Sequence, residues 1–257
     1  MPFKKVNNFR IYYELHGEGE VIVLMHHGFS CTRMWDSIYP SFVAQGYKVV
    51  MYDRRGYGRS ERGDDFQKFY ESDQYRLESV EELRIIKESL GIKECHLVGQ
   101  CEAGVIGIYY SIRYPQEVKT LTVGSTQCYS NVPMTEFVAT KFGKKFADLE
   151  ADIQKKMIRW HGKAAEINYN QFVSGGGSYG MEYFDLRPIL PFVACPTLVL
   201  YPDNSSVFEV EQGISLFRHL PRGELAVFPN CGHDTYEERP EDYARTVVDF
   251  IKRNTKN

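Results

Sequence analysis

The chain has 257 residues, 43% hydrophobic and 25% charged, which are ordinary globular values and enough chain to bury a large core without staples. Its 31 Lys and Arg nearly balance 34 Asp and Glu, so the net charge is −3 with no run of one sign, which argues against nucleic acid or an anionic membrane as partner. No apolar run approaches the ~20 residues of a membrane span, and Met1-Pro2-Phe3-Lys4-Lys5 lacks a signal-peptide core, so a cytoplasmic location is expected.

In chain order, Phe9 to Leu15 reads as a strand with its turn at Gly17 to Glu20, and Val21 to Met25 as a strand buried on both faces. Trp35 to Ala44 is predicted helical, Tyr47 to Tyr52 is a second buried strand, and Asp53 to Ser60 is a polar, Gly-rich turn. Residues 73 to 90 carry a helical apolar stripe through Val80, Leu83 and Ile86, with Gly91 as the C-terminal cap. Cys95 to Val98 is a short strand, Glu102 to Tyr114 a helix stopped by Pro115, and Val118 to Val123 another strand. Residues 125–190 break this rhythm and read as mixed helix and loop. It resumes with strand Thr197 to Tyr201, helix Val210 to Leu220, strand Glu224 to Phe228 and helix Glu241 to Lys252. Alternating strands and helices imply an α/β fold: a mostly parallel central sheet with helices on both faces. The core is then 1–124 and 191–257, and 125–190 is an inserted, mainly helical cap over the sheet's C-terminal edge, where open α/β sheets place their sites.

The six cysteines form no C-x-x-C pair and lack zinc-ligand spacing, so free thiols are expected, and neither a metal nor an organic cofactor is implied. One of them stands out by context. His96-Leu97-Val98-Gly99-Gln100-Cys101-Glu102-Ala103-Gly104 spans a sharp strand-to-helix turn, the setting of a nucleophile elbow, G-x-S-x-G, with Cys101 in the Ser position and Ala103 in the second Gly position. His26-His27-Gly28-Phe29 follows a buried strand, and Asn230-Cys231-Gly232-His233 lies near the end of the chain.

Together with Asp53-Arg54-Arg55-Gly56-Tyr57-Gly58-Arg59-Ser60, which matches D-x-R-G-x-G-x-S in full, these motifs resemble, in number and order, those of the α/β-hydrolase fold superfamily over nearly the whole chain. The resemblance implies that Cys101 is the nucleophile, as in relatives such as the dienelactone hydrolases, and that His233 is general base and then acid. The backbone N–H groups of Phe29 and Glu102 would form the oxyanion hole. A thiol beside an imidazole and at a helix N-terminus is expected to ionise. Aligned from Pro196, the family's triad acid falls on Ser205, and Asp203 lies two residues earlier; Asp203 is favoured as the orienter of His233, with Ser205 or water as the alternatives.

Around these groups, His27 and Trp160 are expected to touch substrate, and the Glu102 side chain to be held away by local hydrogen bonds. The Asp53 to Ser60 turn is read as structural. The implied function is a cofactor-independent hydrolase cleaving a small-molecule ester, lactone or thioester through an acyl intermediate on Cys101. Acyl transfer, carbon–carbon bond hydrolysis, and a ligand-binding protein with weakened catalysis are the alternatives, and a homodimer is left open.

Overall fold

The computed structural model describes residues 2–255. Among these, eight strands form one sheet: β1 (Phe3–Val6), β2 (Phe9–His16), β3 (Glu20–Met25), β4 (Tyr47–Tyr52), β5 (Cys95–Gln100), β6 (Val118–Gly124), β7 (Thr197–Pro202) and β8 (Gly223–Phe228). Their order across the sheet is β1-β2-β4-β3-β5-β6-β7-β8. β1 and β2 form an antiparallel hairpin, β2 runs antiparallel to β4, and the pairs from β4 to β8 are parallel. The connecting helices are α1 (Tyr39–Ala44), α2 (Phe66–Tyr70), α3 (Gln74–Ser89), α4 (Glu102–Arg113), α5 (Met134–Phe142), α6 (Ala151–His161), α7 (Ala165–Phe172), α8 (Val210–His219), α9 (Thr235–Glu238) and α10 (Pro240–Thr255).

The apolar runs are continuous because both faces of the sheet are covered. Alternate residues of one strand enter different cores: Val23, Val50, Leu97 and Val199 pack with α3, α4 and α8, while Ile22, Val49, Val98 and Leu198 pack with α1 and α10. The second core also takes in Met157, Trp160 and Tyr169, so part of the segment between β6 and β7 is seated on the sheet's own packing. That segment carries α5, α6 and α7, as its mixed sequence suggests. Among the described residues no helix is long and apolar enough to cross a membrane.

One local expectation needs correction, and two elements were not expected. Trp35 to Ala44 is not one helix but a 3-10 turn, Thr32–Trp35, followed by α1. Pro40 would sit inside a continuous helix and clash with the carbonyl four residues back; in the observed break it sits in the first turn of α1. β1 was absent from the sequence reading, although Asn7-Asn8, both with positive φ (47° and 78°), forms the two-residue turn that closes the β1–β2 hairpin. α2 was also unforeseen; its buried Phe66 and Tyr70 join Tyr57 and Tyr75 in a small aromatic cluster.

The helix after β5 must lie close to β6. A Cβ at Gly104 would land on Thr126 Oγ1, just past the end of β6. Gly104→Ala is therefore expected to lower stability by ~1–3 kcal/mol, measured as a fall in the urea midpoint with an unchanged slope.

Candidate active site

Cys101 joins β5 to α4 with φ 53° and ψ −117°, a left-handed conformation that costs a non-glycine residue ~1–3 kcal/mol. Its neighbours hold it there. Its N–H donates to Gly124 O at 2.7 Å, and Thr126 Oγ1 donates to its carbonyl at 3.0 Å. A side chain at Gly99 would meet Ala103 O at 2.6 Å, which explains the first small residue of the elbow. The sulfur lies 3.6 Å from the Tyr179 hydroxyl, which accepts the Gln127 N–H at 3.4 Å.

Burial pushes the Cys101 thiol up to about 12, against the opposing bonds from Tyr179 and the Glu102 amide. Desolvation opposes the expected thiolate and outweighs the helix N-terminus, and no hydrogen bond joins the sulfur to His233 among the described residues.

The Glu102 side chain is held by hydrogen bonds, as expected. Its carboxylate turns away from the sulfur, accepting Arg54 Nη2 at 2.8 Å and the Ser178 N–H at 2.7 Å. Arg54 and Glu102 are both almost fully buried, and Arg54 also donates to the Tyr75 hydroxyl at 3.2 Å. Arg54 comes from the Gly-rich turn and Ser178 from the segment between β6 and β7, so this one carboxylate ties both to the elbow. Tyr179 follows Ser178 directly, and the tie sets its hydroxyl against the sulfur.

The loop after β3 is braced by three buried histidines whose tautomers are fixed by backbone amides. His26 Nε2 accepts the Arg54 N–H (3.0 Å), so Nδ1–H donates to His27 O (2.8 Å). His161 Nδ1 accepts the Gly58 N–H (3.1 Å), so Nε2–H donates to Phe29 O (2.7 Å). His27 Nδ1 accepts the Phe29 N–H (3.2 Å), so Nε2–H donates to the Tyr236 hydroxyl (3.1 Å). Burial lowers all three, His27 to about 3, and keeps them neutral. The Phe29 N–H, expected to face an oxyanion, is therefore already engaged by His27 and must exchange partners to serve there. The Glu102 N–H lies close enough to the sulfur to lower the thiol's pKa against the effect of burial.

His233 lies on the loop between β8 and α9, anchored by Gln100 Nε2 and Ser125 Oγ donating to its carbonyl at 3.2 and 2.9 Å. Burial lowers its pKa, partly offset by the negative charge of Asp234. Asp203 does not orient it. The Asp203 side chain is exposed and accepts the Cys231 N–H at 3.1 Å, as a turn residue does. Ser205 Oγ meets His233 Nδ1 instead, at 3.2 Å, in the position the gapless count assigns to the triad acid.

Cys101, His27, Phe29, Trp160 and His233 all line one cavity of about 480 Å3. Its walls are largely aromatic and aliphatic, with residues of α5, α6 and α7 facing the elbow. The Trp160 indole N–H is buried without a protein partner. Lys156 and Asp234 form an ion pair at 3.5 Å on the same wall. Among the described residues no cluster of three His, Cys, Asp or Glu side chains is placed to hold a metal ion. His161, Tyr236 and the Arg54–Glu102 pair escaped the sequence reading as site-builders. Their partners are remote in sequence, and only the match of Arg54 to the turn motif gave any signal.

Two outcomes follow from this arrangement. Glu102→Gln leaves a buried guanidinium without its counter-charge and is expected to lower stability by about 3–5 kcal/mol in chemical denaturation. Alkylation of Cys101 by iodoacetamide, followed site by site with mass spectrometry, is expected to rise ~10-fold per pH unit from pH 7 to pH 10 without a plateau, because the thiolate fraction keeps climbing below a pKa near 12. A plateau near pH 7 would show a resting thiolate.

A family model described as alpha/beta hydrolase fold matches residues 21–148. The 2-hydroxy-6-oxo-6-phenylhexa-2,4-dienoate hydrolase of Burkholderia cepacia is 25% identical, over 96% of this chain and 93% of its own length. Among solved structures, an esterase from Exiguobacterium antarcticum superposes with a TM-score of 0.78 at 17% identity, covering 97% of this chain and 98% of the esterase. The enol-lactonase from Burkholderia xenovorans superposes with a TM-score of 0.76 at 20% identity, covering 98% of this chain and all (100%) of the lactonase. The matched model, the sheet order and the strained turn between β5 and α4 together place the chain in the α/β-hydrolase fold superfamily.

Proposed function

We propose that this chain is a cofactor-independent hydrolase that cleaves a small, largely apolar ester, lactone or thioester through an acyl intermediate on Cys101. The observation that carries this is the convergence of a strained cysteine, a histidine and an aromatic cavity at the C-terminal edge of a parallel sheet. In the proposed reaction, Cys101 Sγ attacks the carbonyl carbon as its proton passes to His233. The oxyanion is met by the Glu102 N–H, and by the Phe29 N–H once it leaves His27 Nδ1. His233 then protonates the leaving group, and water attacks the thioester to release the acid. Residues 125–190 act as a cap: α5, α6 and α7 supply most of the apolar wall, including Met134, Trp160 and Tyr169, and so set the shape of the acyl or leaving group.

Hydrolysis of a carbon–carbon bond beside a carbonyl is the second reading. It is favoured by the full-length similarity to the Burkholderia cepacia enzyme, whose name gives that protein a 6-oxo dienoate substrate. Both readings transfer an acyl group to water and differ in the leaving atom.

Incubation with p-nitrophenyl acetate followed by peptide mass spectrometry is expected to show an acetyl group on Cys101, with turnover falling roughly 10^3-fold or more in Cys101→Ala. Absence of the adduct together with unchanged turnover in Cys101→Ala would refute the nucleophile. Ligand protection against unfolding with no turnover of esters, lactones, thioesters or 6-oxo dienoates would make the chain a binding protein.

A further inference from the structure

The hydrogen bonds around Ser205 determine which nitrogen of His233 carries the proton. A serine hydroxyl has one hydrogen to donate and two lone pairs to accept with. Ser205 Oγ accepts the Val207 N–H and the Phe208 N–H, each at 3.1 Å. Both donors are backbone amides, so both lone pairs are occupied. Its own hydrogen is then directed at the third neighbour, His233 Nδ1, 3.2 Å away. A nitrogen that accepts has no hydrogen, and a neutral imidazole keeps its proton on the other nitrogen.

We propose that Ser205 is a positioning residue that holds neutral His233 as the Nε2–H tautomer, so that the ring turns an N–H donor, rather than a basic lone pair, toward the cavity. A carboxylate at this position would do the opposite, drawing the hydrogen to Nδ1 and freeing Nε2 as a base. No carboxylate hydrogen-bonds to either ring nitrogen among the described residues: Asp203 is engaged with the Cys231 N–H, and Asp234 pairs with Lys156. Phe208 packs edge-on against the imidazole at 5.5 Å and restrains the ring.

For the chemistry proposed above, on which the kinetic part of this inference rests, the Cys101 proton can move to Nε2 only after the resting proton has left it for Nδ1. Ser205 must then accept from Nδ1–H and release one of its two amides. That reorganisation opposes the formation of the nucleophile on every turnover, and Ser205→Asp removes it.

Long-range 1H–15N correlation spectra of protein labelled at histidine nitrogen report the tautomer directly, with His233→Gln identifying the signals. Near neutral pH the wild type is expected to show Nε2–H. Ser205→Ala is expected to lose that preference, and Ser205→Asp to show Nδ1–H and acylate Cys101 from p-nitrophenyl acetate at least about tenfold faster. Nδ1–H in the wild type, or an unaltered Nε2–H state in Ser205→Ala, would overturn the assignment. A switched tautomer in Ser205→Asp with no faster acylation would overturn the kinetic consequence. The wild-type and Ser205→Ala spectra decide the tautomer even if Ser205→Asp does not fold. They are readable whether or not the protein turns over an ester, so failure of the hydrolase reading is seen separately, as a missing adduct.

Discussion

The backbone at Cys101 is the constraint on which the site depends. A residue with a Cβ is held at φ 53° between a strand buried on both faces and a helix whose Gly104 rests on Thr126. Nothing local favours that conformation. It persists because β5, β6 and α4 determine it from both sides, through the bonds of Cys101 N to Gly124 O and of Thr126 Oγ1 to Cys101 O. The strain lifts the sulfur out of the sheet to the floor of the cavity, and it starts α4 in a direction that sets the Glu102 amide beside it.

A second layer of polar contacts makes this floor rigid in an apolar setting. The Arg54–Glu102 pair is removed from water, where one partner without the other would be costly, so both charges and the Ser178 amide are held in register. The neutral histidines do similar work without charge. His161 reaches from the end of α6 to Phe29 O and Gly58 N, linking the segment between β6 and β7 to the loop after β3 and to the Gly-rich turn at once. The two sides of the cavity are thus joined beneath it by hydrogen bonds that burial strengthens.

The parts of this architecture legible in the sequence are those written locally. Buried parallel strands appear as unbroken apolar runs such as Val21 to Met25, and the elbow appears as small residues around Cys101, because each constraint acts between neighbours in the chain. Segments whose conformation is decided by remote contacts were harder to read. β1 is a strand only because it pairs with β2. Asp203 and Ser205 show the limit most clearly. A count of residues pointed to Ser205, chemical expectation pointed to an acid, and the geometry sides with the count, because the turn after β7 directs Asp203 to the Cys231 amide. The resting state of Cys101 was misread for a related reason: a motif conveys which groups are adjacent but not how thoroughly water is removed from them.

Desolvation acts on the two central groups in opposite chemical senses. It favours the neutral thiol of Cys101 and the neutral imidazole of His233, so a thiolate–imidazolium pair is disfavoured at both ends. In the proposed reaction, Cys101 would therefore attack from the thiol rather than from a standing thiolate. Proton transfer has to accompany bond formation to the substrate, at the stage when the negative charge leaves sulfur for an oxygen facing the Glu102 amide. On that proposal the substrate's carbonyl oxygen would take up the charge that the buried protein disfavours at rest.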